Sequence, residues 1–325
     1  MILSPWQEPA YTRALQAFLS GRLGHAQLLS GPAHLGKGEL AVILAKRLLC
    51  RDAGTDLSAC GRCLSCQRFE QGSHGDFRQV GIELNEKTGK LKTAIGVDQI
   101  RDMNEWLGLT AQLDGARVVI VETAHRLNVQ AANALLKTLE EPMPGRYLVL
   151  VTDQAKALPV TVRSRCQRLE MPMPSTEQAR HWLKQKGVPD EAVERLLPVA
   201  GGNPGLMLEW YQQRGLALYE QVYKDMGAIS KDQLGASEAA RNWLADDQTA
   251  MRLLFAAGIA YRLARTWALG GKTGPKPPLA LHRLQDWIDG INRLRLSLSQ
   301  PLRHDLGLAG LLHDWRQLLH DFRQD

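Results

Sequence analysis

Three short apolar runs stand out along the chain, each followed by turn-forming or polar residues. Residues 27–31 (Gln-Leu-Leu-Ser-Gly) read as a buried strand entering a glycine loop. Residues 117–121 (Arg-Val-Val-Ile-Val) are β-branched and barely alternate, as in a central parallel strand covered on both faces. Residues 147–151 read as a third strand. Between the strands the apolar spacing changes to three and four. Leu40, Ile43, Leu44 and Leu48 predict a helix over 38–50, and residues 129–141 predict another that Pro142 stops. Strands alternating with helices argue for an α/β domain on a parallel sheet.

Past Cys166 the texture changes. Pro172 and Pro174 mark a linker. Ser175 with Gln178 forms a capping-box pattern for a helix that Gly187 ends, and Pro189-Asp190 starts another. Gly201-Gly202-Asn203-Pro204-Gly205 then breaks the chain. From Leu206 onward the pattern is helical, with 236–269 as one long helix or two abutting ones. Residues 270–278 are a flexible loop by composition, and helices resume near Leu279. Trp210, Trp243, Trp267, Trp287 and Trp315 fall in these helices as core-packing residues, with base stacking as the competing use. The division expected is 1–166, 167–207 and 208–325.

Composition narrows this only a little. The 325 residues are 44% hydrophobic and 23% charged, with no apolar run of membrane-spanning length and no signal-like N-terminus, so a cytoplasmic location is expected and no membrane contact. The net charge of +6 is spread out, without a basic block. That permits weak, backbone-directed contact with nucleic acid and supplies no base-reading element.

Cysteine usage changes the picture more. Cys50, Cys60, Cys63 and Cys66 cluster, with the last three at C-x2-C-x2-C spacing. In a reducing compartment this pattern points to metal before disulfides. Four thiolates complete a tetrahedral Zn²⁺ shell and leave no open position, so one structural zinc is expected in a module at about 50–66. Cys166 lies outside the cluster and reads as a small buried residue.

Residues 31–38 (Gly-Pro-Ala-His-Leu-Gly-Lys-Gly) have P-loop spacing in the strand–loop–helix context such a loop requires. Gly31, Gly36 and Lys37 are the candidate phosphate-binding residues. Where the loop needs a Mg²⁺-ligating Ser or Thr it has Gly38. ATP is therefore a doubtful ligand, and Mg²⁺ is not expected. His34 and His125 lie nearby but form no hydrolytic set, and read as loop or packing histidines.

Residues 133–142 (Asn-Ala-Leu-Leu-Lys-Thr-Leu-Glu-Glu-Pro), Ser164-Arg165-Cys166, the cysteine cluster and the 201–205 break together resemble the bacterial clamp-loader branch of the AAA+ family, and within it the delta-prime family of DNA polymerase III subunits. The motifs cover residues 25–207; the remainder matches in length and helical character only. The resemblance implies an AAA+ core, a small helical lid and an all-α collar. It implies a hetero-pentamer with gamma/tau-type ATPase subunits and a delta-type subunit, acting on a sliding clamp and primed DNA. Working relatives carry Asp-Glu after the second strand, where this chain has Glu122-Thr123. They carry an arginine that senses the γ-phosphate where this chain has Gly205. A non-hydrolysing subunit is thus expected, with Arg165 offered as an arginine finger to a neighbour. From the residues alone, Arg165 is equally a local ion-pair partner. An active gamma/tau-like ATPase is the alternative, since Lys37 is intact. A zinc-dependent nucleic-acid module is a further rival that leaves residues 133–142 and 164–166 unexplained.

Overall fold

A computed structural model describes residues 3–85, 89–113, 115–270, 278–298, 300 and 302–321. The chain divides into two compact units, Met1–Gln178 and Ala179–Asp325.

The first unit runs α1 (Glu8–Leu19), β1 (Ala26–Ser30), α2 (Lys37–Leu49), α3 (Leu64–Glu70), β2 (Phe77–Val80), α4 (Val97–Gly108), β3 (Arg117–Val121), α5 (Val129–Glu140), β4 (Arg146–Thr152), α6 (Val160–Arg163) and β5 (Gln167–Glu170). All strand pairings are parallel, in the order β2-β3-β4-β1-β5. The strands read from apolar runs, β1, β3 and β4, are the three central ones. Every residue of β1 and β3 is buried, because sheet neighbours flank both edges and helices cover both faces. Leu135 and Leu139 of α5, Ile100 and Met103 of α4, and Val119 and Val121 of β3 belong to one core.

The edge strands β2 and β5 were not legible. Each is four residues long, and each buries one residue fully, Val80 and Leu169. β5 pairs with β1 and so extends the sheet beyond Cys166, where composition had suggested the core's end. Parallel order brings the ends of β1, β3 and β4 to one edge, the usual place for ligands in such sheets.

The second unit is helical: α7 (Thr176–Gln185), α8 (Asp190–Leu196), α9 (Pro204–Gln212), α10 (Gly215–Ile229), α11 (Ala236–Trp243), α12 (Thr249–Ala268), α13 (Pro278–Ser297) and α14 (His304–Asp321), its boundary with the first falling inside α7. The capping box forms in both directions: the Ser175 N–H donates to Gln178 Oε1 (3.0 Å) and the Gln178 N–H to Ser175 Oγ (3.2 Å). Residues 236–269 resolve into two helices. Residues 244–248 separate them, and Thr249, which opens α12, ties back to α11 with its hydroxyl donating to the Trp243 carbonyl at 2.9 Å. Trp210, Trp243, Trp287 and Trp315 are buried, and the Trp315 indole donates to the Met226 carbonyl at 3.1 Å, so these rings are packing residues. The loop expected over 270–278 lies, for 271–277, outside the described residues.

Candidate functional site

The chain leaves β1 at Gly31, where an added Cβ would stand 2.3 Å from the Met171 carbonyl oxygen. Only glycine fits that approach. Gly36 caps α2 in the left-handed region (φ 77°), again a glycine conformation. Two residues unremarked in the sequence hold the loop from outside. The Trp6 indole donates to the Leu35 carbonyl at 2.9 Å, and Gln7 Nε2 to the Gly36 carbonyl at 2.8 Å.

Lys37 is 4% exposed and turned inward. Its Nζ meets the Pro32 carbonyl and, at 2.5 Å, Asp153 Oδ1. Asp153 follows β4 and was missed. Its signal was positional: it leaves the third strand at the same sheet edge as Glu122. At Gly38, an added Cβ would lie 3.2 and 3.3 Å from the two Glu122 carboxylate oxygens. The space for a hydroxyl-bearing side chain is thus filled by Glu122. Burial pushes the Glu122 carboxyl above its ordinary range, Asp153 adds to this, and Lys37 opposes it. Thr123 has left-handed backbone (φ 47°), and its buried hydroxyl has no hydrogen-bond partner among the described residues. The cleft these groups line holds about 280 Å³ and sets three carboxylates, of Glu39, Glu122 and Asp153, against one ammonium. An incoming triphosphate must displace Asp153 from Lys37 against that charge. His34 lines this cleft, and His125 Nδ1 lies 3.2 Å from Thr152 Oγ1.

Arg165 is not among the residues lining that cleft. It sits in the turn between α6 and β5. Its Nη1 donates to the Thr161 carbonyl (2.9 Å), and its Nη2 pairs with Glu140 Oε1 (2.6 Å) at the end of α5. The local ion pair therefore exists, on a side chain 36% exposed. Next to it Cys166 is buried and its thiol donates to the Val162 carbonyl (3.2 Å); burial pushes that thiol up to about 11. The turn is anchored by the cysteine and turns the arginine outward. Arg163, two residues earlier, is half-buried, its Nε without a partner among the described residues.

The sulfurs of Cys50, Cys60, Cys63 and Cys66 all lie within 4.8 Å of one another, and those of Cys60 and Cys66 are 3.9 Å apart. Sulfurs about 2.3 Å from one tetrahedral centre stand about 3.8 Å apart. A disulfide would need about 2.05 Å. The donor set therefore fits one metal ion. Backbone N–H groups point at the sulfurs: Cys60 N–H to Cys50 (3.3 Å), Cys63 N–H to Cys60 (3.4 Å) and Cys66 N–H to Cys63 (3.5 Å). Burial pushes the Cys63 thiol up, but hydrogen bonds from the Cys66 and Arg51 backbone outweigh it and hold that thiol at about 6. Thiolate, the form a metal takes, is thereby favoured at Cys63, whereas burial pushes the Cys66 thiol up to about 12. The intervening loop is tied down independently. Buried Arg47 donates to the Asp56 and Gly54 carbonyls, both at 2.8 Å, and the Tyr11 hydroxyl to the Leu57 carbonyl at 2.7 Å.

The sequence model of the family described as "DNA polymerase III, delta subunit" matches residues 6–175. DNA polymerase III subunit delta′ of Pseudomonas aeruginosa is 34% identical, the match spanning 97% of this chain and 97% of the relative. Subunit delta′ of Haemophilus influenzae is 40% identical over 65% of this chain and 62% of its own length. Subunit tau of Bacillus subtilis is 36% identical over 49% of this chain and 27% of its own.

Proposed function

The chain belongs to the DNA polymerase III delta-subunit family, among the delta′ clamp-loader proteins, and on that premise we propose that it is a loader subunit that does not hydrolyse ATP itself and offers Arg165 to a neighbouring ATPase subunit. The observation that carries the first half is the state of Lys37. The ammonium that a working loop holds out to phosphate is buried against Asp153 and Pro32, and Glu122 closes over Gly38. Gly205, at the second position of α9, agrees with a site that senses no γ-phosphate.

The second half rests on exposure and on magnitudes. An exposed pair such as Arg165–Glu140 is worth about 0–1 kcal/mol, whereas a charge-assisted bond to phosphate is worth about 1.5–3 kcal/mol. A neighbour's γ-phosphate therefore outcompetes Glu140. Arg165 would then neutralise charge on the transferring phosphoryl group, worth a factor of about 10³–10⁵ in turnover. In this reading gamma/tau-type ATPase subunits and a delta-type subunit complete a hetero-pentamer that places a sliding clamp on primed DNA. Contact of this chain with DNA is weak and backbone-directed. Zinc is the ion for the four cysteines, since four thiolates in a closed tetrahedron suit it best.

The test is clamp- and DNA-stimulated ATP hydrolysis by a loader reconstituted from its partner subunits. Arg165→Ala in this chain lowers turnover at least about 100-fold with assembly unchanged on gel filtration, and Arg165→Lys does not restore it, because an ammonium lacks the planar fork. Unchanged turnover refutes the finger. The gamma/tau-like reading draws on the intact Lys37 and the tau relative. ATPase activity of the isolated chain that Lys37→Ala abolishes would establish it instead.

A further inference from the structure

A buried hydrogen-bond relay joins two of the four cysteine-bearing segments. Ser65 is 2% exposed and His74 6%. The Asp76 backbone N–H donates to His74 Nδ1 (3.1 Å), which leaves the proton of the neutral ring on Nε2. Nε2 stands 2.9 Å from Ser65 Oγ, and the Ser65 hydroxyl donates to the Leu49 carbonyl at 2.6 Å. Burial lowers the His74 pKa and keeps the ring neutral. The placement matters: Leu49 immediately precedes Cys50, and Ser65 immediately precedes Cys66. Phe69 of α3 packs on Phe77 of β2 at 4.7 Å and meets His74 edge-on at 6.3 Å, holding α3 to the same anchor. The bonds from Arg47 and Tyr11 secure the outer loop and leave this junction untouched.

We infer that His74 and Ser65 are positioning residues for the metal centre: acting through the Leu49 carbonyl, they fix the separation of Cys50 from Cys66, so that the sulfur tetrahedron is formed before the ion arrives. The inference rests on the metal reading above. Partners bonded to the ligands themselves are worth about 10–100-fold in metal affinity, and this relay acts one residue further out, through the peptide units before Cys50 and Cys66. Without the relay, part of the binding free energy goes into ordering the two segments.

The experiment compares full-length wild type, Ser65→Ala, His74→Asn and the core control Leu135→Ala. Zinc content is measured after purification without chelator, zinc affinity by competition with a chromophoric chelator, and fold by circular dichroism. Ser65→Ala and His74→Asn are expected to bind one zinc with about 10-fold lower affinity, the lower end of that range. Leu135→Ala, which cuts into the core of the same unit, is expected to melt earlier with wild-type zinc affinity. Ser65→Ala removes a single oxygen, so it serves if His74→Asn does not fold. Wild-type affinity in both relay variants overturns the inference while leaving the metal centre standing. Equal loss of zinc in Leu135→Ala also overturns it, by reducing the effect to general stability. A wild-type chain that binds no zinc removes the metal reading and the relay's role together.

Discussion

At the loop after β1, the Lys37 ammonium pairs with Asp153 while the Glu122 carboxylate stands against Gly38, and the proposed non-hydrolysing role rests on this local electrostatics. Gly38 and Thr123 announced a departure in the sequence, because a hydroxyl and a carboxylate are missing at fixed offsets. Asp153 could not be read that way: its role depends on β4 ending beside β1, which no spacing records. Glu122 permits a test. Burial, reinforced by Asp153, raises its pKa, so the folded protein holds its proton more tightly than the unfolded chain. Its favourable contribution is full below the ordinary carboxylate range and is lost as pH rises through the raised value, so ionised Glu122 weakens the fold at neutral pH. Glu122→Gln keeps the shape without the charge. Thermal melting at pH 7.5 is expected to rise relative to wild type, and the wild-type decline between pH 5 and 7.5 to shrink. Equal or lower melting at pH 7.5 would contradict the assignment.

At the scale of elements, legibility followed burial. β1, β3 and β4 are covered on both faces and carry continuous apolar runs; α5 shows its buried face as Leu135 and Leu139 at a spacing of four. β2 and β5 lie at the sheet edges, bury one residue fully each, and carry too little signal to be read. Periodicity also hid what fastens β2 to β3. Arg117, counted simply as the head of an apolar strand, is 2% exposed, bonds Asp76 at 3.0 Å and lies 4.5 Å over the Trp106 ring. Asp76 accepts further bonds from the backbone N–H groups of Gln112 (2.9 Å) and Leu113 (3.1 Å). Removing one charge strands the other in the interior. Asp76→Asn should cost about 3–5 kcal/mol in urea unfolding, the range for a broken buried pair. A loss under about 1 kcal/mol would mean that water reaches Arg117.

On the scale of the whole molecule, the two units own separate cores, one around the parallel sheet and one around the tryptophan-rich helices. Separate cores predict separate unfolding transitions, and the four cysteines belong to the first unit. On the proposed zinc reading, a chelator added to the intact chain should lower the melting of that unit and leave the second transition in place. Calorimetry with and without chelator checks this; a joint shift would mean that the units unfold as one. By itself the sequence determined the α/β class of the first unit, the helical character of the second, the cysteine spacing of a candidate metal site and the glycine that stands where a phosphate loop carries a hydroxyl. Each of these is written in spacing over a few residues, as period, motif or missing hydroxyl. Only the tertiary structure decided that Lys37 is held by Asp153, that Arg165 leans on Glu140, and that His74 bonds Ser65 beside the cysteine cluster. Those partners are 116, 25 and 9 residues apart in the chain. They meet because parallel strands return to one edge and helices pack across them, which local periodicity does not encode.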